Sequence, residues 1–397
     1  MTIQHLPQAA AWKFIILVGV VSLFSDMTYE GARSITGPFL GTLNASATVV
    51  GIVAGLGEFI GYALRSVSGY LTDRLGKYWV ITFVGYALNL LAVPLLALAG
   101  NWQVAALLIL MERLGKAIRT PARDAMLSHA ATEVGRGWGF GVHEAMDQIG
   151  AMSGPLIVAV VLYYNGGYRA GFAYLLIPAI LAVLVITIAA RLYPYPQHLE
   201  VTVPKLETTG LTHPYWLYVA AVGLIGAGYA DFPLIAYHFG KAAVAAPNWI
   251  PIFYAVAMGV DAIAALILGR LFDRLGMPVI IGVSLAAALF APLVFLGGFD
   301  FALLGMVLWG IGMGAQESIV KAALAAMVPR DRRATGYGIF NTGFGLFWFL
   351  GSALMGVLYD ISLGVLIAFS VLVQLAAIPL FFRISRDLAQ ARNRQAA

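Results

Sequence analysis

The sequence has no cysteine and few charges. The absence of cysteine from its 397 residues excludes disulfide frameworks, thiolate metal sites and cysteine nucleophiles. Charged residues make up 11% and hydrophobic residues 61%, whereas soluble domains contain about 25% and about 45–50% respectively. This composition excludes a water-soluble globular domain and indicates an integral membrane protein.

Groups that could carry catalysis or hold a metal are also scarce. The six histidines are scattered, and only His143 and His238 lie well inside apolar runs. A single histidine in a membrane is more often a hydrogen-bonded packing residue or a proton carrier than a metal ligand. We find no pattern of an exposed nucleophile with a base, no Gly-rich phosphate loop and no soluble domain to hold ATP. We therefore expect no enzymatic activity, no metal and no cofactor.

The sequence does contain long apolar runs of about 20 residues, the length of a helix that crosses a bilayer. These runs are longer than the ten-residue alternating segments typical of a membrane β-barrel. They predict an all-α integral membrane protein with 12 transmembrane helices. The predicted helices are 12–39, a second one between the turn at 44–47 and the segment 69–77, then 80–98, 104–124, 137–164, 170–190, 215–239, 249–272, 278–297, 302–327, 334–359 and 362–383.

Two internal repeats indicate that the chain consists of two homologous halves. The segment 69–77, Gly-Tyr-Leu-Thr-Asp-Arg-Leu-Gly-Lys, recurs at 269–276 as Gly-Arg-Leu-Phe-Asp-Arg-Leu-Gly. Residues 115–141 also align without a gap with 312–338. We therefore expect two pseudo-symmetric six-helix bundles. Their predicted bounds are 1–191 and 214–397 with a short basic tail, and a proline-rich cytoplasmic linker at 192–213 joins them.

Lysine and arginine are concentrated in alternate loops, which predicts the orientation. By the positive-inside rule, both termini and both copies of the repeated segment are cytoplasmic, in a bacterial or archaeal cell membrane. The net charge of +5 is mostly this topological signal, so we expect no nucleic-acid partner. One set of loops and the tail carry Arg74, Lys77, Arg136, Arg191, Lys205, Arg270, Arg274, Arg330, Arg332, Arg333, Arg386, Arg392 and Arg394, and the opposite set carries Arg169 and Lys241.

Charged residues inside the apolar runs recur with a period of three helices. Predicted helices 3, 6, 9 and 12 have essentially none, whereas the other eight carry them. Each intramembrane charge costs about 2.5–3.5 kcal/mol on insertion scales, so these side chains must face one another or water. We therefore predict that the eight charged helices line a polar central cavity and that the four charge-free helices face lipid.

The segment 69–77 resembles the helix 2–3 loop of the major facilitator superfamily of secondary transporters, and the resemblance covers the whole chain. The matching residues are Gly69, Leu71, Asp73, Arg74, Gly76 and Lys77. Leu110 and Arg113 match the helix 4 pattern of the family, but Lys116 and Ala117 replace its Gln-Gly.

Helix 5 resembles the antiporter signature of drug and proton exchangers in that family. The matching residues are Gly141, Gly150, Gly154 and Pro155, and the match departs at Val158 and Ala159, which replace Gly-Gly. The glycines also have a simpler reading as sites of close helix packing, and the proline as a kink. Packing and gating are compatible in a helix that forms a rocking interface.

The repeated segments are candidates for cytoplasmic gates. Asp73 is placed to cap the positive N-terminal end of predicted helix 11 near Thr335, and Asp273 that of helix 5 near Gly137. The alternative is that each segment is only a charged topology stop with a tight glycine turn. The gate candidates are Gly69, Asp73, Arg74, Gly76, Asp273 and Arg274.

Charged residues on helices 1, 4 and 5 are candidates for proton coupling. Asp26, Glu30 and Arg33 share one helix face at spacings i, i+4 and i+7. A desolvated carboxylate beside a mobile cation can bind and release a proton. Asp26 and Asp147 are our first choices, since a helix 1 carboxylate carries the proton in several drug exchangers that this chain resembles. A permanent salt-bridge network is the alternative, with Glu112–Lys116 and Glu317–Lys321 as i, i+4 pairs. The coupling candidates are Asp26, Glu30, Arg113, Lys116, Glu144 and Asp147.

The C-terminal half has fewer charges and more aromatic residues. An aromatic wall with a few polar points favours amphipathic or lipophilic substrates over free sugars. Interhelical packing is the alternative role for these aromatic side chains. The predicted cavity residues are Arg33, Glu58, Tyr229, Asp231, Glu317, Asn341, Phe344 and Trp348.

These patterns predict a proton-coupled secondary transporter that works by alternating access and exports small organic or amphipathic compounds by antiport. Two alternatives stay open: a proton-coupled symporter for uptake of a small metabolite, and a non-transporting receptor or scaffold with the same fold. The expected partners are a small-molecule substrate, protons and the bilayer. We expect a monomer, because one chain already contains both halves of a cavity.

Overall fold

The part of the chain that the structure describes consists of helices joined by short turns. This computed structural model describes residues 8–194, 211–328 and 333–396. The helices are α1 (Gln8–Thr42), α2 (Ala47–Leu75), α3 (Tyr78–Leu95) followed by a 3₁₀ turn (Leu96–Leu98), α4 (Trp102–Val134), α5 (Arg136–Tyr163), α6 (Gly167–Tyr174), α7 (Leu176–Leu192), α8 (His213–Gly228), α9 (Phe232–Lys241), α10 (Trp249–Leu275), α11 (Met277–Ala287), α12 (Phe290–Leu296), α13 (Phe299–Glu317), α14 (Ile319–Met327), α15 (Arg333–Ile361) and α16 (Leu363–Ala396).

Eleven described helical segments are long and apolar enough to cross a membrane, which identifies a multi-pass integral membrane protein. In this set α6 with α7, α8 with α9, α11 with α12 and α13 with α14 each form one segment. Helix α4 is continuous and, with 33 residues, long enough to cross a membrane. It is not one of the eleven segments, because it contains several charged side chains. It also continues past Asp124, the predicted end, to Val134.

The break between α8 and α9 was not predicted. Gly228 ends α8, and Pro233 lies in the first turn of α9, where its missing N–H costs no helical hydrogen bond. Side chains from other helices satisfy the carbonyl groups that the break exposes. Ser370 Oγ and Gln374 Nε2 lie 2.6 and 3.1 Å from the Gly228 oxygen, and Trp309 Nε1 donates to the Ala230 oxygen at 3.0 Å. A broken helix persists in an apolar interior because such partners replace the lost backbone bonds.

The chain divides into two compact units. The first unit comprises Met1–Asn44, Ile60–Val203 and Pro247–Ala255, and the second comprises Ala45–Phe59, Pro204–Ala246 and Val256–Ala397. Helices α2 and α10 are continuous, yet each contributes its first residues to one unit and the remainder to the other.

In the first unit, α1 packs closely against α5. A side chain at Gly150 would collide with the Leu23 carbonyl, and one at Gly154 with the Met27 carbonyl. Small residues allow two helix backbones to approach in this way. Gly141, on the same helix, has open space around its α-carbon. The close packing therefore fixes the position of α5 beside the acidic face of α1.

Both repeated segments form the same helix ending. Gly76 and Gly276 have φ angles of +62° and +69°, in the left-handed region that favours glycine. The Gly76 N–H bonds the Thr72 carbonyl at 2.9 Å, and the Gly276 N–H bonds the Phe272 carbonyl at 2.8 Å. This glycine termination explains why each copy retains its second glycine.

We predict that Gly154→Ala destabilises the protein by about 1–3 kcal/mol, because the added methyl group forces α1 and α5 apart. Gly141→Ala is the matched control and should be neutral or slightly stabilising, since its methyl group meets no other atom. Thermal unfolding of the purified variants in detergent measures both effects. Equal unfolding midpoints for the two variants would contradict the close packing of these helices.

Candidate functional site

Helices α1, α4 and α5 bring acidic and basic side chains together inside the first unit. Asp26 and Glu30 are one turn apart on α1 and are each 7% exposed. Close packing of α5 and α4 around this face places their polar side chains beside the two carboxylates. We call this set the charge network: Ser22, Asp26, Tyr29 and Glu30 of α1, Lys116, Arg119, Arg123 and Asp124 of α4, and His143 and Asp147 of α5.

Glu30 is held at both carboxylate oxygens. Lys116 Nζ lies 3.8 Å from Glu30 Oε1. The Tyr254 hydroxyl donates a hydrogen bond to Glu30 Oε2 at 2.5 Å. Lys116 Nζ also lies 3.9 Å from the centre of the Tyr29 ring, which gives the ammonium group a second attractive partner.

Asp26 is held less tightly. Arg119 Nη2 lies 4.0 Å from Asp26 Oδ1, and this oxygen, although buried, has no hydrogen-bond partner within the described structure. Arg119 is only 1% exposed. Its Nη1 donates to the Tyr86 hydroxyl at 3.2 Å, and its guanidinium carbon lies 4.5 Å from the centre of the Tyr86 ring. The arginine is therefore supported by Tyr86 independently of Asp26.

Asp147 lies at the end of a relay of polar groups. His143 Nδ1 is 3.5 Å from Asp147 Oδ2, and His143 Nε2 is 2.9 Å from Ser22 Oγ. Arg123 Nη1 donates to Ser22 Oγ at 2.9 Å and lies 3.9 Å from Asp147 Oδ2. Arg123 is anchored mainly by its neighbour Asp124, whose Oδ1 is 2.8 Å from Nη2. As a result, no short ion pair holds Asp147 in the described structure, and its Oδ1 accepts no hydrogen bond there.

Glu112 and Arg113 contact each other on α4, about one turn before Lys116. Arg113 Nε contacts the adjacent Glu112 Oε2 at 3.2 Å, and Asn89 Nδ2 donates to Glu112 Oε1 at 2.7 Å. The salt-bridge alternative paired Lys116 with Glu112, but in the structure Lys116 Nζ lies 3.8 Å from Glu30 Oε1. The reason is that α1 lies close enough for Glu30 to compete with an i, i+4 contact, which is weak on any helix.

Helix α3 contributes to the site although it carries no charge. Its exposed face is apolar, with Val80, Val84 and Leu91. Its buried face presents Tyr86 to Arg119 and Asn89 to Glu112. The sequence analysis missed both residues. The sequence does carry one signal for Tyr86 and Asn89: they are polar side chains on one face of an otherwise apolar run.

The remaining candidates are dispersed. Glu144 is exposed, and Gln148 Nε2 lies 3.5 Å from its Oε1. Arg33 of the first unit and Glu58 and Asn341 of the second are half-buried, and Glu317 is exposed. Of these residues, Arg33 acts through its charge on Glu30 of the charge network. Contact with a substrate stays a prediction for Arg33, Glu58, Asn341 and Glu317.

In the second unit, the predicted aromatic residues pack against one another in the interior. Tyr229 and Phe344 lie 5.8 and 5.5 Å from Trp348, measured between ring centres. Trp348 Nε1 lies 3.4 Å from Asp231 Oδ2, and the Tyr229 hydroxyl bonds the Trp309 carbonyl. All four predicted residues are buried. This arrangement matches the packing alternative, and substrate contact stays a prediction for them.

The predicted gates are only partly described. Arg74, Asp273 and Arg274 are exposed, and Gly69 lies in α2. The Asp73 side chain and Gly137 lie outside the part of the structure that can be described at side-chain level. The two capping contacts therefore stay predictions.

The fold defines a multi-pass membrane protein with charged groups in its interior, and comparison with known proteins identifies its family. The sequence model of the Major Facilitator Superfamily matches residues 18–352 and 215–396. The chain therefore belongs to this superfamily and is a secondary transporter. Members of this class are typically not enzymes.

The similar proteins agree with this assignment. An uncharacterized protein of Mycobacterium tuberculosis is 40% identical over 385 residues, covering 95% of this chain and 94% of the relative. An uncharacterized MFS-type transporter of Methanocaldococcus jannaschii is 27% identical over 366 residues, covering 88% and 89%. The crystal structure of the nucleoside transporter NupG (D323A mutant) matches with a TM-score of 0.73 at 13% identity, over 93% of this chain and 100% of that one. This last likeness concerns the fold alone.

Removal of Arg119 should strongly destabilise the first unit. Arg119→Met removes the cation that lies 4.0 Å from the buried Asp26, and removal of one partner of a buried ion pair typically costs about 3–5 kcal/mol. Combining it with Asp26→Asn removes the stranded charge, so the double variant should be more stable than Arg119→Met alone. Thermal unfolding of the two single variants and the double variant in detergent tests this. Strictly additive effects would show that Arg119 and Asp26 do not interact.

Proposed function

We propose that this protein is a proton-coupled antiporter that exports small amphipathic organic compounds by alternating access. The observation that carries the proposal is the state of Asp26 and Asp147. Both carboxylates lie in the interior of the first unit. Arg119 is 4.0 Å from Asp26, and Arg123 is 3.9 Å from Asp147. Each carboxylate keeps one oxygen without a hydrogen bond in the described structure.

Loosely held carboxylates suit proton transfer better than a permanent scaffold. A buried ion pair contributes to stability only if its geometry is excellent and its remaining atoms are hydrogen-bonded. Asp26 and Asp147 do not meet this condition. The short ion pair of Arg123, at 2.8 and 3.0 Å, is made instead with Asp124, whose side chain is 44% exposed. Carboxylates that bind and release a proton need partners that can be exchanged, and this is the arrangement around Asp26 and Asp147.

The cations of the network can lose a carboxylate partner without being stranded. Lys116 lies over the Tyr29 ring and Arg119 over the Tyr86 ring. A cation above a desolvated aromatic ring gains about 2 kcal/mol, and this attraction does not depend on protonation of an acid. Protonation of Asp26 therefore leaves Arg119 bound to Tyr86, and deprotonation lets Arg119 approach Asp26 again. This exchange supports a cycle in which a proton and a substrate alternate.

An exposed face of α5 supports the proposed substrate class. Trp138, Ile149 and Met152 are exposed on the first unit, and Glu144 is exposed on the same helix. Apolar and aromatic side chains with one carboxylate fit an amphipathic compound better than a sugar, which needs many hydrogen-bonding partners. The antiporter-like glycines of α5 are consistent with this helix as the moving surface.

We predict that lipophilic cations or neutral drugs trigger proton release from acidified everted vesicles that contain the protein. Asp26→Asn and Asp147→Asn should each reduce this release at least tenfold, because an amide cannot carry the proton. Asp300→Asn is the matched control and should keep the release, since Asp300 is an exposed residue in the first turn of α13. A pH-sensitive dye in the vesicles reports the signal.

Two results would overturn the proposal. Proton release that persists in both Asp26→Asn and Asp147→Asn would assign coupling to other groups. Proton uptake instead of release, driven by a small metabolite in the same assay, would establish symport. Protein amounts and folding must be matched by quantitative labelling and thermal unfolding before the rates are compared.

A further inference from the structure

Glu30 connects the charge network to a helix from the other half of the sequence. Tyr254, which is 1% exposed, donates its hydroxyl proton to Glu30 Oε2 at 2.5 Å. Tyr254 lies near the start of α10. Residues up to Ala255 belong to the first unit with Glu30, and α10 from Val256 onward belongs to the second unit.

The strength of this hydrogen bond depends on the charge of Glu30. A hydrogen bond from a hydroxyl to a carboxylate is shorter and roughly twice as strong as one between neutral groups, with typical distances of 2.5–2.7 Å. The observed distance lies in that range. A protonated Glu30 keeps a carbonyl acceptor but loses the charge. The attachment of the α10 start to α1 is therefore strong only while Glu30 is ionised.

Several charged groups surround this carboxylate. Those that act on Glu30 from α1 and α4 are Arg33, Arg113 and Lys116, and Asp26 lies one turn away on α1. On α5, Asp147 and His143 reach the network through Asp26 and Arg123 rather than through Glu30. Lys116 and the Tyr254 hydroxyl both favour the ionised carboxylate. Neutralisation of Glu30 therefore requires an acidic pH or movement of Lys116 away from it.

Helix α2 provides an internal comparison. Its start belongs to the second unit, and Asp360 of α15 accepts hydrogen bonds there from Thr48 N at 2.9 Å and from Thr48 Oγ1 at 2.7 Å. A carboxylate thus holds the start of each of the two equivalent helices. Asp360, however, is exposed, whereas Glu30 is buried beside Lys116. Of these two attachments, the one at α10 is connected to the charge network.

We propose that Tyr254 is a positioning residue that transmits the charge state of Glu30 to α10. While Glu30 is ionised, Tyr254 keeps the start of α10 on α1, and when Glu30 is neutralised the start of α10 is released. This proposal rests on the proposed proton-coupled function, because it requires Glu30 of the charge network to gain and lose a proton.

The absence of cysteine makes the test direct, since label sites can be introduced without a background. Leu98→Cys and Pro247→Cys place spin labels on two exposed positions of the first unit, the second just before α10. Pulsed electron paramagnetic resonance on the labelled full-length protein in nanodiscs, at a series of pH values, gives the ratio of attached to released α10. We expect this ratio to fall as the pH is lowered.

Tyr254→Phe should lower the attached population about tenfold at high pH and abolish its pH dependence, because a hydrogen bond to a charged group is lost. Glu30→Gln should do the same, and combining the two changes should add little. Tyr218→Phe is the matched control: it also removes one phenol hydroxyl, but that hydroxyl bonds the backbone carbonyl of Val320 at 2.8 Å, which does not titrate in this range. The control should keep the pH dependence.

A Tyr254→Phe variant that retains the wild-type pH dependence, even with a changed ratio, would show that Tyr254 is only structural and would overturn the inference. If this variant does not fold, 3-fluorotyrosine at position 254 replaces it. The more acidic phenol should then move the transition to lower pH, and an unchanged transition would equally overturn the inference. Wild-type proton release in vesicles, measured in parallel, separates the two failures: release without a role for Tyr254 refutes only this inference, and absence of release refutes the proposed function.

Discussion

The cost of a charge in a low-dielectric interior constrains this protein more than any other interaction. Each charged group inside the first unit must be compensated, and the sequence supplies compensation in three forms: opposite charges, aromatic rings and hydrogen-bonding side chains. Lys116 uses Glu30 and Tyr29, and Arg119 uses Asp26 and Tyr86. The close approach of α1 and α5 at Gly150 and Gly154 adds the polar side chains of α5 to this set, with His143 Nε2 at 2.9 Å from Ser22 Oγ.

The two units meet this constraint differently. The first unit keeps α1 and α4 continuous and distributes charges along them. The second unit interrupts the corresponding helices after Gly228 and at Ser318 and fills its interior with aromatic rings. Exposed backbone groups at the first break are satisfied by Ser370, Gln374 and Trp309. The internal repeat therefore preserves the fold while assigning charge to one half and aromatic packing to the other.

Much of the fold could be predicted from the sequence, because long apolar runs and the repeated segment at 69–77 and 269–276 depend only on local composition. The presence of Asp26, Glu30 and Asp147 in the site was also accessible, since buried charges are rare in such runs. Tyr86, Asn89 and Tyr254 were not, because an uncharged residue gives no signal until a tertiary contact places it beside a charge. The break before α9 was missed for the same reason, because the side chains that bond its exposed carbonyl groups lie on α13 and α16.

The most direct test of this account is an infrared titration of the purified protein in lipid, which detects the C=O band of a protonated carboxyl group. We predict a band that appears reversibly as the pH falls while the protein stays folded, and that is reduced in Asp26→Asn and in Asp147→Asn. A protein whose interior carboxylates stay ionised over that whole range would contradict the account and would make the charge network a permanent scaffold.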